Sequence, residues 1–203
     1  MKLFLSRHGE TVWHRENRYA GVSDIALTPE GRHQAVRLAD WAETAPLAAV
    51  YSSTLGRAIE TATPAARAAG VALRTDARLC EVDFGRGEGL TRAEMHERFP
   101  HELAAFLAQP ASLPLPDGER GIDAIVRAMS ALEDIACTHP NESVLVVMHS
   151  TLMRLVLCAA LGLDPDRYRT VFPHVRNAAL TELSWQDRRA ALLGFNLPPA
   201  PPA

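Results

Sequence analysis

Apolar residues in this chain occur in short unbroken runs, and these runs predict its strands. Residues 144–148 are five consecutive apolar residues, and residues 3–5 form a similar run near the N-terminus. Continuous hydrophobicity of this length is typical of a strand buried on both faces, as in a parallel sheet covered by helices. We predict parallel strands over 2–6, 47–52, 71–75 and 143–148, and two antiparallel strands over 179–185 and 190–195 around the turn-forming residues 186–188.

Helical patterns fill the segments between these strands. Thr28, Pro29 and Glu30 combine a capping hydroxyl, a proline at the first helical position and an acid that suits the helix dipole, so a helix begins here. Gly70 is expected to end a helix over 55–69. The alternation of strand and helix predicts an α/β sandwich with a mostly parallel sheet. Further helices are predicted over 92–99, 102–107, 121–137 and 152–161, the last capped by Ser150 or Thr151.

The length of 203 residues fits one domain, which we assign to residues 1–197. Residues 110–118 are rich in proline and glycine and are predicted to form an irregular loop at a substrate rim. Residues 198–203 are proline and alanine only, and we expect this tail to be flexible.

Charge and composition exclude several classes of function. A formal net charge of -3 gives no global basic field for nucleic acid or anionic lipid. The apolar start is too short for a signal peptide, and the apolar run over 152–163 is interrupted by Arg154 and too short for a membrane span. The three cysteines lack C-x-x-C spacing. We therefore expect a cytoplasmic protein without nucleic-acid or membrane partners; the oligomeric state, a homodimer included, stays open.

Two of the predicted strands run directly into histidines, His8 and His149. Ligands of open α/β sheets bind beyond the carboxyl ends of the strands, so the two imidazoles would face one crevice if these strands are neighbours. Arg7 and the turn amides of Gly9 and Glu10 would complete a site suited to a phosphate dianion. One histidine at a strand end is more often structural, but the pair beside an arginine favours a function. A metal site is disfavoured because no H-E-x-x-H motif or close carboxylate accompanies the histidines.

Five short motifs occur in an order that carries a family resemblance. Residues 5–11 read Leu-Ser-Arg-His-Gly-Glu-Thr, and residues 52–62 contain a Ser-Thr-Leu-Gly-Arg-Ala segment. The other three motifs cover residues 79–85, 116–119 and 146–149. Together they resemble the histidine phosphatase superfamily, also called the phosphoglycerate mutase-like family, in its phosphatase branch. The resemblance implies a three-layer α/β/α sandwich with a small lid-like insertion, here residues 80–120.

The same resemblance implies roles for individual residues. His8 would be the nucleophile that forms a phosphohistidine, and Glu81 would protonate the leaving alcohol and then activate water. Arg7, Arg57 and His149 would complete the phosphate pocket. No metal or other cofactor is implied. The expected substrate-binding residues are Thr11, His14, Arg18, Gly21 and Ser150.

Three positions depart from the family pattern. His14 stands where most members have asparagine; an imidazole can still donate one hydrogen bond, but it titrates, so phosphate affinity is expected to depend on pH. Ser150 replaces a glycine after the second histidine and is expected to narrow the site. Gly87 replaces an aromatic residue and is expected either to leave space for a larger substrate or to loosen the lid.

The favoured function is a cofactor-independent phosphomonoesterase acting on a small phosphorylated metabolite, with water as the final acceptor. One alternative is a phosphoglycerate mutase-type transfer, disfavoured because only 67 residues separate Glu81 from His149. The other is a catalytically silent phosphate-binding protein, which would typically lack one of the five catalytic candidates. The identity of the substrate stays open, as does an additional anion contact by Arg18 or Arg86.

Overall fold

The computed structural model describes residues 1–186 and 189–200. Its centre is a six-stranded sheet in the order β3-β2-β4-β1-β5-β6, whose strands are β1 (Lys2–Arg7), β2 (Leu47–Ser52), β3 (Leu73–Thr75), β4 (Ser143–Met148), β5 (Leu180–Gln186) and β6 (Arg189–Leu197). β3, β2, β4 and β1 are parallel, whereas β5 is antiparallel to β1 and to β6. The predicted mostly parallel sheet is confirmed. Of the predicted turn, Asp187 and Arg188 lie outside the described residues.

Seven α-helices are found in the described residues. They are α1 (Pro29–Thr44), α2 (Gly56–Ala68), α3 (Arg92–Arg98), α4 (Pro100–Ala108), α5 (Gly121–Thr138), α6 (Ser150–Ala160) and α7 (Tyr168–Val171). The Thr28 side chain accepts from the Gly31 amide and caps α1, and Gly70 follows α2 with a φ of +68°. The predicted cap of α6 is wrong, because that helix begins at Ser150 and its N-cap residue is His149. No helix in the described ranges has the length and apolarity needed to cross a bilayer.

Alternate residues of the central strands pack into two hydrophobic clusters on opposite faces of the sheet. Leu3 and Leu5 point to one face, which α5 and α6 cover, whereas Phe4 points to the other, covered by α1 and α2. β4 divides in the same way, with Val144 and Val146 on the first face. Both faces are therefore buried, which is the physical reason for the unbroken apolar runs and which confirms the three-layer α/β/α fold.

The segment over 80–120 contains α3 and α4 and packs onto the cluster that α5 and α6 form with the sheet. Phe84, Met95 and Phe106 are buried members of that cluster. Residues 110–118 form turns without a helix or strand, as predicted. The segment is thus tied to the main core by apolar contacts, and its action as a lid stays a prediction.

Candidate active site

His8 and His149 meet beyond the carboxyl ends of two neighbouring strands. β1 pairs with β4, and the His8 amide donates to the carbonyl of Met148 at 3.0 Å. The two imidazole centroids lie 5.1 Å apart, and both side chains are buried. The Asn177 side chain donates to the His8 carbonyl at 2.8 Å and so fixes the backbone at this point. The fold places two imidazoles against one another, as the strand-end positions predict.

The hydrogen bonds of His8 define which ring nitrogen is free. Nδ1 lies 2.7 Å from the carbonyl oxygen of Gly9, and because a carbonyl can only accept, Nδ1 carries the hydrogen. Nε2 is then left with its lone pair. The pKa of His8 is lowered well below its usual value, first by burial and then by His149, Arg57 and Arg7. A neutral imidazole with an available Nε2 is the form required of a nucleophile.

The loop that carries His8 is held by backbone contacts. The Gly9 amide donates to Thr61 Oγ1 at 2.9 Å, and that hydroxyl donates to the Arg57 carbonyl at 2.7 Å. A Cβ on Gly9 would lie 2.5 Å from the Gly31 carbonyl oxygen, so the loop approaches the first turn of α1 closely. Thr61 lies inside the motif over 52–62, but the sequence assigned it no role.

His149 has one bound and one free ring nitrogen. Nε2 is 2.7 Å from Ser53 Oγ, whereas Nδ1 is buried and has no hydrogen-bond partner among the described residues. Burial lowers the pKa of His149 well below its usual value, and Arg57 and Arg7 lower it further. A buried polar atom without a partner beside His8 is a suitable contact for a ligand oxygen.

Arg57 is fully buried and is held by backbone carbonyls instead of carboxylates. Its Nη1 donates to the Ser23 carbonyl at 2.7 Å and its Nη2 to the Gly21 carbonyl at 2.5 Å, while its Nε lacks a partner. Burial lowers the pKa of Arg57 below its usual value, and Glu81 opposes that effect. In the described part of the chain, no carboxylate lies within ion-pair distance of this guanidinium.

Arg7, beside His8, is another guanidinium of the site that has no ion-pair partner in the described ranges. Its Nη1 donates to the Val175 carbonyl at 2.8 Å, and its Nη2 contacts Nε2 of His14. His14 Nδ1 lies 2.8 Å from Thr11 Oγ1. Burial lowers the pKa of Arg7 to about 10, so the group stays protonated at neutral pH. Two positive charges without an ion-paired carboxylate in the described residues favour the binding of an anion.

The Glu81 side chain lies against the first turn of α6, and the residue is 4% exposed. Its Oε2 accepts from the Thr151 amide at 2.8 Å, and its Oε1 accepts from the amides of Leu152 at 2.8 Å and Val82 at 2.9 Å. The carboxylate therefore provides the cap that we predicted from Ser150 or Thr151. A carboxylate oxygen has two lone pairs, so Oε2 keeps one that these amides do not use.

A cavity of about 730 Å³ opens beside these groups. Seven of the ten predicted site residues line it: Arg7, His8, Thr11, His14, Arg18, Glu81 and Ser150. The other three, Arg57, His149 and Gly21, are buried outside that lining, where Arg57 and His149 adjoin the same cluster of charges.

The packing around two glycines bears on what was expected of them. The Gly21 carbonyl holds Arg57 and a Cβ there would lie 2.0 Å from Glu88 Oε1, so a contact of Gly21 with substrate stays a prediction. Gly87 was expected either to leave space for a larger substrate or to loosen the lid, but it is buried, and a Cβ there would lie 2.5 Å from a methyl carbon of Leu115. Neighbouring side chains fill the volume that an aromatic residue would need.

The two arginines considered for an additional anion contact are engaged elsewhere. Arg18 lines the cavity, but its guanidinium forms ion pairs with Glu16 at 2.8 Å and Glu94 at 2.9 Å. Arg86 is exposed, lies outside the cavity lining and stacks 5.8 Å from the ring centroid of Phe99. Arg18 is therefore already paired with carboxylates, and Arg86 does not reach the cavity.

Comparisons with known proteins agree with this geometry. The family model described as histidine phosphatase superfamily (branch 1) matches residues 3–198. Phosphoserine phosphatase 1 of Hydrogenobacter thermophilus is 30% identical, covering 97% of this chain and 92% of that protein. A probable phosphoglycerate mutase GpmB of Enterobacter is 29% identical, covering 92% and 86%.

Solved structures show the same similarity at the level of the fold. Bacillus stearothermophilus YhfR superposes with a TM-score of 0.89 at 32% identity, covering 97% of this chain and 96% of that one. Mycobacterial glucosyl-3-phosphoglycerate phosphatase, solved as a complex with VO3, gives a TM-score of 0.88 at 27% identity, covering 97% and 99%.

Proposed function

This chain belongs to the histidine phosphatase superfamily, branch 1, and on that premise we propose that it hydrolyses small phosphate monoesters through a phosphohistidine on His8. The observation that carries the proposal is the state of His8, a neutral imidazole whose Nδ1 donates to the Gly9 carbonyl and whose Nε2 has no hydrogen-bond partner among the described residues. Similar proteins named for phosphoserine and glucosyl-3-phosphoglycerate support a small metabolite as the substrate.

In the first step, His8 Nε2 attacks phosphorus and a P–N bond forms while the ester P–O bond breaks. The electron pair of that bond goes to the leaving alcohol oxygen, which takes a proton from Glu81 Oε2. Arg7 and Arg57 stabilise the negative charge on the equatorial oxygens, and His149 Nδ1 supplies a further contact. The hydrogen bond from His8 Nδ1 to Gly9 keeps the ring oriented as its charge rises.

In the second step, water attacks the phosphorus of the phosphohistidine. Glu81 takes a proton from that water, the P–N bond breaks, and its electron pair returns to His8 Nε2. Inorganic phosphate leaves and Glu81 is again protonated, so the cycle closes without a metal or an organic cofactor in any step.

The nucleophile is tested by trapping the covalent intermediate with a 32P-labelled substrate. We expect label that is lost in acid and retained in alkali, and a fall in kcat on the order of 10⁴ or more in His8→Ala. His33→Ala is the matched control, because the His33 side chain is 72% exposed on α1. Alkali-labile, acid-stable label, or a labelled His8→Ala protein, would contradict the proposal.

The acid role of Glu81 is tested by changing the leaving group. Glycerol 3-phosphate releases a poor alkoxide that needs a proton, whereas p-nitrophenyl phosphate releases a stable phenolate that does not. In Glu81→Gln we expect kcat/KM for glycerol 3-phosphate to fall by about 10²- to 10⁴-fold and that for p-nitrophenyl phosphate to fall much less. Equal losses on both substrates would assign Glu81 to positioning rather than proton transfer.

31P NMR with 3-phosphoglycerate distinguishes transfer of the phosphoryl group to water from transfer to a second hydroxyl of the substrate. A phosphatase releases inorganic phosphate without accumulation of 2-phosphoglycerate. A mutase would form 2-phosphoglycerate before inorganic phosphate appears.

A further inference from the structure

The wall of the cavity carries two arginines that the proposed mechanism does not use. Arg154 lies on α6 and Arg169 on α7, and both line the same 730 Å³ space as His8 and Glu81. Arg154 is the one charged residue of α6, which is otherwise apolar after its first two residues. Burying part of a guanidinium there costs free energy of folding unless the group finds a partner. Neither residue was singled out as a binding residue by the sequence.

Both guanidinium groups are gathered around one buried ring. Tyr168 is 1% exposed, and its ring centroid lies 4.6 Å from Arg154 Cζ and 5.3 Å from Arg169 Cζ. Arg169 Nε also donates to the Tyr168 hydroxyl at 2.9 Å. Arg169 also contacts a second ring, because its Cζ lies 4.8 Å from the ring centroid of Phe106 on α4. Stacked guanidinium groups of this kind are rigid and keep their edges available for hydrogen bonds.

The charges of this pair are not compensated. Within the described ranges, neither Arg154 nor Arg169 has a carboxylate within ion-pair distance, whereas Arg18, at the same cavity, has two. Arg169 Nη1 is buried without a hydrogen-bond partner there. Arg154 uses Nε for the Ser150 carbonyl at 3.0 Å and Nη1 for a long contact with a carbonyl oxygen.

The nearest acid, Glu81, favours the charge of Arg154 but forms no ion pair with either arginine. Glu81 is the one carboxylate among the described residues that line the cavity, and amides of its own segment and of α6 occupy three of its four lone pairs. Arg154 and Arg169 are half-buried cations without an ion-paired carboxylate in the described ranges, and Arg169 repels Arg154, so an anion bound between or beside them stabilises the folded protein.

We propose that Arg154 and Arg169 form a second anion subsite that binds a carboxylate or a second phosphoryl group on the alcohol part of the substrate. The inference rests on the proposed function, because the phosphoryl group at His8 fixes the substrate in the cavity. Planar guanidinium forks suit both anions, which have the oxygen spacing that two parallel N–H donors require. The subsite thereby narrows the substrate class to phosphate monoesters with a second negative group.

Matched substrates test the subsite in the wild-type enzyme. 3-Phosphoglycerate and glycerol 3-phosphate differ by a carboxylate against a hydroxymethyl group, and fructose 1,6-bisphosphate and fructose 6-phosphate differ by a second phosphoryl group. We expect kcat/KM to favour the member with the second anionic group by on the order of 10²-fold in at least one pair. The pair that shows the preference identifies the second group.

Variants then test whether these two arginines cause the preference. We expect Arg154→Gln and Arg169→Gln each to reduce the preference ratio by about tenfold, mainly through KM, and Arg169→Lys to restore part of it. Arg86→Gln is the matched control, because Arg86 is exposed and lies outside the cavity lining, and it should leave the ratio unchanged. Far-UV circular dichroism checks that each variant is folded.

The outcomes separate this subsite from the function on which it rests. A wild-type enzyme that hydrolyses both members of each pair equally well, with activity that requires His8, overturns the subsite alone. A preference ratio that survives in both glutamine variants also overturns it. Hydrolysis that persists in His8→Ala overturns the proposed function instead. If a glutamine variant does not fold, the wild-type ratio and Arg169→Lys still decide.

Discussion

His14 is the clearest case of a residue whose neighbours change its expected role. Arg7 Nη2 contacts Nε2 of His14, and the Thr11 amide donates to Nδ1 at 2.9 Å, so neighbouring groups engage both ring nitrogens. The imidazole thus bridges Thr11 and Arg7, and neither ring nitrogen is left over for a phosphate oxygen. We infer that it positions the Arg7 guanidinium, a role that the sequence pattern did not suggest.

The pKa of His14 is lowered from 6.5 to about 4, first by burial and then by Arg7. Between these two pH values the unfolded chain binds a proton that the folded chain does not, so the free energy of unfolding rises with pH across this window and falls as pH drops towards 4. The slope from one such group is at most about 1.4 kcal/mol per pH unit, and partial exposure reduces it.

We therefore predict that His14→Asn makes the unfolding free energy less dependent on pH between about 4 and 6.5. Urea denaturation at several pH values measures the slope, and His33→Asn is the control because His33 is exposed. The pKa values of His8 and His149 are also lowered, and both residues are present in the wild type and in the variant. The slope of unfolding free energy against pH should therefore fall without vanishing. An unchanged slope would show that His14 is protonated equally in the folded and unfolded states.

The sequence could locate the site better than the contacts within it. Strand ends and motifs placed His8 and His149 together because local hydrophobic runs determine where strands stop. Asn177 and Tyr168 contact the same site, but they lie outside any motif and reach it through long-range packing. Arg154 left one signal, a charge within an apolar run, which is informative only when the partner of that charge is known.

The start of α6 shows why local capping rules can select the wrong residue. Ser150 has a hydroxyl suitable for an N-cap, yet Glu81, distant in sequence, accepts from the amides of Thr151 and Leu152. A carboxylate suits the positive end of the helix dipole, and its two oxygens bind both amides at once. Such a cap depends on tertiary structure and is invisible in the residues that precede the helix.

The close approach between α1 and the loop after β1 allows a test of whether this helix constrains the loop that carries His8. A Cβ on Gly31 would lie 2.1 Å from the carbonyl oxygen of Glu10, and this is a backbone atom that cannot rotate away. We predict that Gly31→Ala destabilises the protein by about 2 kcal/mol or more and lowers kcat, because the loop carrying His8 must shift.

Gly70→Ala is the matched control for this substitution. Gly70 has a φ of +68° but no atom within 4 Å of a Cβ, so only backbone strain, about 1 kcal/mol, is expected, with kcat unchanged. Thermal or urea unfolding and steady-state kinetics of both variants provide the measurement. Equal destabilisation of the two, with equal kcat, would show that the α1 contact does not constrain the loop.

Charge is distributed unevenly over the molecule, which the net value of -3 conceals. Peripheral arginines such as Arg32, Arg37 and Arg120 form ion pairs with nearby carboxylates. Arg7 and Arg57, in the interior, do not do so within the described ranges. Composition reports only the net charge, whereas the fold reveals a local positive field, because it buries these arginines without an ion-paired carboxylate.

This separation of charge predicts that anions stabilise the whole protein. A ligand that binds only the folded state at 100 times its Kd adds about 2.7 kcal/mol to the unfolding free energy, which for a chain of this length raises Tm by about 5 to 10 °C. We expect that shift with inorganic phosphate or vanadate at neutral pH, measured by differential scanning fluorimetry. Arg57→Gln should lose more than half of the Tm shift, because an uncharged amide then replaces the buried guanidinium. Sodium chloride at matched ionic strength should produce little shift; an equal effect of chloride, or a full phosphate shift in Arg57→Gln, would mean that the stabilisation does not come from an anion bound at these arginines.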